Sequence, residues 1–497
     1  MKIYLFLAIA LLILQIPMLA ITATPPNTNP GTLSTPVKSL ASSSDATVSR
    51  DVSVYRTPPG YQTDNGITMM VNGQNVPVLK WTTGKNNAVE YLYSRFSLGG
   101  SATVKISCSK VVESCRIQPA AFGIQPQVSG HDVTFTLQGS RYFIITINNS
   151  NLMVLADPPE LKESYCRNIN TFSLPSTADT SGTRSCTDLL QGIIDSAAAK
   201  GGGVAYIPCG TFRVGPFHLK SNVTLYLADG ASLKFDASSP MATKDFGKVI
   251  HHDHERVHPG VYFIKADDAQ NISIAGRGII DLNGGALFDA DGRLGSCMRI
   301  QNVKNLNVEG VTIRESSSWS LLIAGCKNVR FRNVKVLNGM GFEQNDAFDI
   351  ISSQDVLIEH CFAYGRDDSY CLKGGGPGTH GGGITTRDTR DFGNITVQDC
   401  VAYTRDGSGF KIGNQSSVSG KNFTCKDLYA IAGRNAVFLA LFDGPATFEN
   451  VITDSIFIDQ KTMIPFKVQI KKGGHVKDIV TSNYFVEMQP ITVHPPR

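Results

Sequence analysis

Two acid-bearing segments carry the chemistry of this chain: Gln344-Asn345-Asp346-Ala347-Phe348-Asp349 and Gly365-Arg366-Asp367-Asp368-Ser369-Tyr370-Cys371-Leu372-Lys373. The stretch from Asp346 to Asp367 is about as long as one turn of a stacked β-coil. In a chain that coils with turns of that length, the two carboxylates lie one above the other and Asp368 joins them in one patch. Carboxylates a few ångströms apart raise at least one pKa, so one of them keeps its proton near neutrality. A protonated carboxyl beside ionised ones suits glycosidic cleavage: one group protonates the leaving oxygen while another activates water, at a separation of about 6.5 to 9.5 Å in inverting enzymes. Taken singly, each aspartate also fits a turn acid bonded to its own backbone. The one-turn spacing and the glycine-rich stretch after Lys373 favour the joint reading.

Such acids need a scaffold that stacks chain segments in register. Short segments with a common start recur from residue 222 onward: Asn222-Val-Thr-Leu, Asn271-Ile-Ser-Ile, Asn305-Leu-Asn-Val, Asn328-Val-Arg-Phe, Asp355-Val-Leu-Ile, Asn394-Ile-Thr-Val and Asn422-Phe-Thr-Cys. Each opens a β-rich unit. Irregular spacing with a constant start fits a parallel β-helix, whose turns stack strands about 4.8 Å apart and take up insertions in loops. A β-propeller would show more regular blades. Ahead of the repeats, Thr187–Ala198 has apolar residues at 189, 190, 193, 194, 197 and 198 behind a Thr N-cap, which predicts an amphipathic helix able to plug an open end. Between residues 51 and 165, alternating runs such as Ala102-Val104-Ile106, Val133-Phe135-Leu137 and Phe143-Ile145-Ile147, separated by turn residues, predict a small β-sandwich. The fold class read here is all-β, with a parallel β-helix over 166–497 behind that N-terminal sandwich.

Lys2, the apolar stretch Ile3–Ile21 and the small residues Ile21-Thr22-Ala23 describe a cleavable secretory signal over 1–23, and the Pro-, Ser- and Thr-rich segment 24–50 reads as a flexible linker. Gln15 and Pro17 interrupt the stretch, which argues against a membrane anchor. A secreted, extracellular protein is expected, with no membrane partner after cleavage. Of 497 residues 18% are charged, with 46 basic against 42 acidic side chains and no long runs, so nothing favours nucleic acid or disorder. Eleven cysteines permit disulfides, with Cys108 and Cys115 flanking a hairpin and Cys166 and Cys186 near the domain junction, while Cys361 and Cys400 match as a buried stack. No CxxC pair or HExxH is present, and the cluster His251, His252, His254 and His258 reads as a solvated loop, so neither a metal nor a cofactor is expected. Asn148, Asn222, Asn271, Asn394, Asn414 and Asn422 head glycosylation sequons.

Over about residues 180–475 the sequence resembles glycoside hydrolase family 28, the polygalacturonase family of right-handed parallel β-helices. The resemblance is carried by Gly201-Gly202-Gly203-Val-Ala-Tyr-Ile-Pro208-Cys-Gly210-Thr211-Phe212, by Gly215-Pro216-Phe217-His218-Leu219-Lys220-Ser221-Asn222 and by Val311-Thr-Ile-Arg314-Glu-Ser-Ser-Ser318-Trp319. The family's Asn-Thr-Asp-Gly motif looks like Asn345-Asp346-Ala347, and its Asp-Asp motif falls on Asp367-Asp368. The resemblance implies that Asp367 is the general acid, that Asp346 and Asp368 hold and activate water, and that the anomeric carbon inverts. A polysaccharide or oligosaccharide, as in cell-wall degradation, is the implied partner.

Two departures bear on the substrate. Ser408, in Gly407-Ser408-Gly409-Phe410-Lys411, stands where the family has a supporting His, and Gln469, in Gln469-Ile470-Lys471, replaces the Arg that with Lys471 would grip a uronate carboxylate. An amide cannot reproduce a bidentate guanidinium. Glycoside hydrolase family 49, the dextranases and isopullulanases, also lacks that His and has the same domain order, which opens a neutral glucan as substrate. Lys411, Lys471, Ser408, Asp406, Gln469 and Tyr370 are the expected substrate-binding residues. Asp406 enters by matching Tyr364-Gly-Arg-Asp367 to Tyr403-Thr-Arg-Asp406, although a one-residue slip would pair Ser408 with Asp368 instead. Phe348 and Trp319 are expected to pack within a rung. The competing classes are a carbohydrate-binding β-helix without turnover and a calcium-dependent polysaccharide lyase on the same scaffold.

Overall fold

The computed structural model describes residues 52–83, 89–160, 170–239, 250–253, 256–375, 392–414, 416–442, 445–471 and 473–495, with backbone alone at 83, 89, 250–253, 256–259 and 291. The signal and linker segments, Cys166 and His254 lie outside the described residues, as do the side chains of His251, His252 and His258.

Alternating residues in the N-terminal part of the described chain build two packed sheets. One has seven strands and runs from Val52–Val54 to Ser150–Asp157; the other has five and includes Ser101–Cys108 and Asp132–Gln138. The second sheet buries every other side chain, with Ala102, Val104 and Ile106 facing Phe135 and Phe143. The first sheet is buried on both faces, so Arg141–Ile147 and Ser150–Asp157 read as nearly continuous apolar runs. Its inner face joins the sandwich core. Its outer face, with Leu79, Trp81, Tyr91, Tyr93, Tyr142 and Met153, packs on Leu337, Phe362, Tyr364, Val401 and Ile431 of the following domain. Polar ties complete this junction: Lys335 Nζ meets Asp157 Oδ1 at 2.6 Å, and Tyr61 OH donates to Asp281 Oδ2 at 2.9 Å.

From Thr171 the chain winds into a right-handed parallel β-helix with three strand faces per turn. The recurring Asn or Asp start is explained by two demands at one corner. Asn222, Asn271, Asn305, Asn328, Asp355, Asn394 and Asn422 all sit at positive φ, where Asn and Asp are the least penalised residues after Gly. Their side chains also form a ladder, in which each amide donates to the acid or amide oxygen one turn back: Asn305 to Asn271 at 2.7 Å, Asn328 to Asn305 at 2.8 Å, Asn394 to Asp355 at 3.0 Å, Asn422 to Asn394 at 2.7 Å. Inside the coil, apolar side chains from all three faces form one core that includes Phe331, Phe348, Tyr370 and Phe410.

The predicted helix forms as α1, Thr187–Ala199, with Leu190, Ile194 and Ala197 buried against the first turn. Its N-cap differs from expectation. Cys186 occupies that position without a side-chain cap, and Thr187 Oγ1 instead accepts a bond from Gly215 N at 2.7 Å. The ten described cysteines are all free thiols, Cys108, Cys115 and Cys186 among them. Cys361 and Cys400 are adjacent and buried in the core, as the matching rung positions predicted.

Candidate active site

One face of the coil forms the floor of the candidate site. Its strands are β1 Leu321–Ala324, β2 Phe348–Ile351, β3 Tyr370–Lys373, β4 Ser408–Asn414, β5 Asn435–Leu441 and β6 Ile464–Ile470, all parallel and paired in that order. Pleating sends alternate residues outward. Phe348, Tyr370 and Phe410 point into the core, so their neighbours Asp349, Cys371, Lys411, Phe438 and Lys467 line up along the outer face.

The ladder sets the register of the acids, and it corrects the spacing argument by one residue. Phe348 pairs with Tyr370, which puts Asp346 beside Asp368 and leaves Asp367 offset by one position. Backbone bonds from Ala347 N to Asp368 O and from Phe348 N to Ser369 O hold that register. On the next turn both matches considered from the sequence occur, in different places. Tyr364 pairs with Tyr403, yet Tyr370 pairs with Phe410, one position beyond what the first match would give, because the chain gains a residue between the two strands. Asp368 therefore lies beside Ser408, while Asp406 lies beside Arg366.

Asp368 is clamped: Lys411 Nζ lies 2.5 Å from Oδ2, and Ser408 N donates to Oδ1 at 2.8 Å. Lys411, expected to touch substrate, thus spends its charge on a carboxylate. Asp346 Oδ2 receives Lys373 Nζ at 3.1 Å, and the same ammonium bonds Asp349 Oδ1. Lys373 also lies 3.3 Å from the ring centroid of Trp319, which is buried and packs outside the coil with Tyr262, Leu322 and Ile351. Asp346 and Asp349 also contact each other through their carboxyl groups, and Asp346 Oδ1 and Asp349 Oδ2 are buried without a donor from any other residue. Asn345 supports the turn from behind, its Oδ1 accepting Arg366 N at 3.0 Å and Asp367 N at 3.3 Å. Gly407 leaves room for the acids: a Cβ there would stand 2.4 Å from Asp367 C and Asp368 N.

These contacts set the protonation of the site. Four carboxyl groups, Asp346, Asp349, Asp367 and Asp368, face two ammoniums, Lys373 and Lys411. Burial, followed by the charges of Asp346 and Asp368, pushes the Asp367 carboxyl well above the usual range against the opposing pull of the two lysines. Burial also raises Asp349. Lys373 is raised well above an ordinary lysine by Asp349 and Asp346 against the cost of burial. Asp346, Asp349 and Cys371 could in principle bracket a cation, their ligand atoms lying within 4.8 Å of one another. Lys373 already bonds both carboxylates and supplies the positive charge such an ion would bring.

The remaining expected residues separate into groove and interior. Gln469 and Lys471 follow one another along the outer face of β6 and its end, with Lys471 Nζ 4.8 Å from the Phe442 ring. Asp406 lies on the rim, bonded by Arg366 Nε at 2.7 Å and Arg405 Nη2 at 3.0 Å, which hold it below the usual carboxylate range despite partial burial. Tyr370 does not face the groove. It is fully buried, stacks on Phe348 at 5.1 Å and donates to Val401 O at 3.0 Å, because its place on β3 points inward. Phe348 packs inside as predicted, whereas Trp319, expected to pack within a rung as well, lies on the outside of the coil. The sequence reading missed Lys373 and Asp349 as site residues, although both stand in the quoted segments. An aspartate directly after Phe348 and a lysine at the end of the second segment carried no signal until β2 and β3 were paired. Tyr91 of the sandwich, whose hydroxyl accepts Met340 N at 2.8 Å on the loop leading to Asp346, was equally invisible.

A right-handed parallel β-helix with clustered aspartates on one face is the class that the fold and the site define. The sequence model of glycosyl hydrolases family 28 matches residues 205–437, which contain all of the acids above. A probable polygalacturonase of Arabidopsis thaliana is 24% identical over 148 residues, 27% of this chain, and the match spans 32% of that relative's length. Two solved structures share the fold. The exopolygalacturonase of Thermotoga maritima aligns with a TM-score of 0.51 at 20% identity over 65% of this chain and 83% of its own. Dex49A from Penicillium minioluteum aligns with a TM-score of 0.53 at 12% identity over 88% of this chain and 92% of its own. The resemblance to family 28 read from the motifs thus holds, and the likeness to a family-49 structure extends to the β-helix with its N-terminal sandwich.

Proposed function

We propose that this protein is an inverting glycoside hydrolase of a polysaccharide, with Asp367 as general acid and Asp346 and Asp368 as the water-activating pair. The observation that supports it best is the division of labour among the acids. Asp368 is paired with the Lys411 ammonium and Ser408 N, while burial and the flanking charges of Asp346 and Asp368 leave Asp367 holding its proton. Asp367 donates that proton to the leaving glycosidic oxygen as the bond to the anomeric carbon breaks. A water held by Asp368 and Asp346 attacks from the opposite face, and its proton passes to that pair. Lys373 holds Asp346 in place without touching the sugar.

Ser408 and Gln469 favour a substrate whose sugar at that end of the groove is not gripped through a bidentate carboxylate, a neutral glucan included. Lys471 and Lys467 keep the same end positively charged.

Reducing-sugar release from pectic, dextran, pullulan and uronate-containing polymers tests this reading, with Asp367→Asn as control and proton NMR of the first product to read its anomer. Release by the native enzyme with inverted product, lost in the variant, is expected. Equal release by both proteins would remove Asp367 from its role. An unsaturated, ultraviolet-absorbing product would instead make the protein a lyase.

A further inference from the structure

A cavity lies away from the clustered acids, between the sandwich and the coil. It has a volume of about 400 Å³ and takes Arg116 and Asn151 from the sandwich and Tyr403, Ala432, Asp459 and Lys461 from the coil among its walls. We propose that this cavity is a second glycan-binding site, which holds pyranose residues of a polysaccharide apart from the catalytic acids.

The first reason is a broken aromatic column. Tyr364 and Tyr403 stack in register at 4.6 Å and 20°, but the next residue in that row is Ala432, and the strand pairing shifts register there. A neighbouring row on the same face continues without a gap, Tyr429, Phe457 and Phe485 stacking at 5.1 Å per step. The stack that stops at Ala432 leaves half-buried Tyr403 as an aromatic wall of the cavity, and the apolar face of a pyranose packs well on such a ring.

The second reason is the character of the other walls. Two basic side chains, Arg116 and Lys461, face two acidic ones, Asp459 and Glu487, so the cavity has no excess charge for an anion or a metal. Asp459 is 4% exposed, and its carboxylate is already fixed by Ala120 N at 3.0 Å and Gln118 Nε2 at 3.2 Å. Planar amides and fixed charges around one aromatic wall match the hydroxyl pattern of a sugar better than they match an apolar ligand. The size suits a short oligosaccharide, since small-molecule sites run from about 300 to 1,000 Å³.

The third reason is position. Tyr403 lies on the face turned to the sandwich, and the turn Thr404–Gly407 separates it from Asp368 and Lys411 on the groove face. A polymer held in the cavity would stay tethered to the enzyme while the groove released its product, which raises effective concentration without a new catalytic contact.

The proposal draws on the carbohydrate reading above, yet its test does not depend on turnover. The hydrolysis-blocked Asp367→Asn protein is run through native gels containing dextran or polygalacturonate, alone and combined with Ala432→Phe, which continues the aromatic column into the cavity, or with the exposed-site change Lys461→Ala. Retardation in one of the gels is expected, weakened by about tenfold in Kd by Ala432→Phe and by a few fold by Lys461→Ala. The two gels separate a neutral from an acidic glycan. Retardation untouched by both changes, or none in either gel, would overturn the site. Ala432→Phe in the otherwise native enzyme is expected to leave turnover of short oligosaccharides within about twofold. Loss of short-substrate turnover together with retardation would place the effect in the groove and also overturn the site. An enzyme that releases no sugar from any polymer but is still retarded would sink the hydrolase reading and leave this one standing.

Discussion

Lys335 and Lys373 are both buried beside aspartates, and they do opposite work. At the junction of sandwich and coil, Lys335 Nζ bonds Asp157 Oδ1 at 2.6 Å, Gly310 O at 2.7 Å and Asn333 O at 3.0 Å, so all three of its protons are used. Asp157 is also bonded by Tyr55 at 3.2 Å and Tyr142 at 2.6 Å. Burial lowers Lys335 to about 8 in spite of Asp157, and Arg277 and Arg95 add positive charge beside the same pair. On the groove face, Lys373 is shared by Asp346 and Asp349, and those two acids also contact each other. The acids there outnumber the ammoniums, and burial with the neighbouring negative charges pushes Asp367 well above the usual carboxylate range. A buried acid surrounded by donors and positive charge braces a domain junction. A surplus of acid can bind and polarise a water, at a cost to stability.

That contrast predicts opposite outcomes for activity and stability. The largest effect belongs to Asp367→Asn, which is expected to lower kcat by about 10³-fold, the upper part of the range for a general acid. The same change is expected to raise the melting temperature at neutral and alkaline pH. The native carboxyl has a raised pKa, so the stability it permits is present at low pH and lost as pH rises through that value, whereas the amide never ionises. A variant both inactive and less stable at pH 8 would break the comparison. By the same sign argument, ionisation of Asp367 should set the alkaline limb of kcat/KM, and a profile without that limb would argue against it.

Lys335→Met should behave in the reverse way. It takes the bonded ammonium from buried Asp157, which keeps its two tyrosine bonds and the nearby charge of Arg277, with an expected loss of about 3 kcal/mol in a denaturant titration. Turnover per folded molecule should be unchanged; a loss of kcat would mean that the junction controls the groove. Lys411→Met comes next, with kcat falling by about 10²-fold. Without that ammonium Asp368 loses its one charged partner and keeps only Ser408 N on Oδ1. A variant with unchanged kcat and a raised KM would return Lys411 to a substrate-binding role. The smallest change is Asn305→Ala in the side-chain ladder. It removes one bond given and one received, at about 1 kcal/mol, and leaves the pH profile as it was.

The acids show how far spacing alone can reach. The separation of the two segments was enough to bring Asp346 and the Asp367-Asp368 pair to one face, because any coil with a turn of about that length does so. It could not say which acid lies beside which. The interior stack of Phe348 on Tyr370 makes the turn one residue longer than the step from Asp346 to Asp367, and a shift of one position moves every side chain to the other face. The same stack removed Tyr370 from the groove. Asp406 shows the complementary case: its neighbours depend on a turn that adds one residue between two correctly matched strands.

The sequence by itself determined the coil, its corner asparagines, the end helix and the identity of the three acids, since each rests on local conformational preference or on a repeat that a single strand displays. Only the tertiary structure decided the partners of those acids, the buried place of Lys373 and Asp349, and the cavity beside Ala432. Those depend on hydrogen-bond register summed over several turns and on the contact of two domains. A pleat that is one residue out leaves local sequence preferences almost unchanged, yet it exchanges the core for the groove.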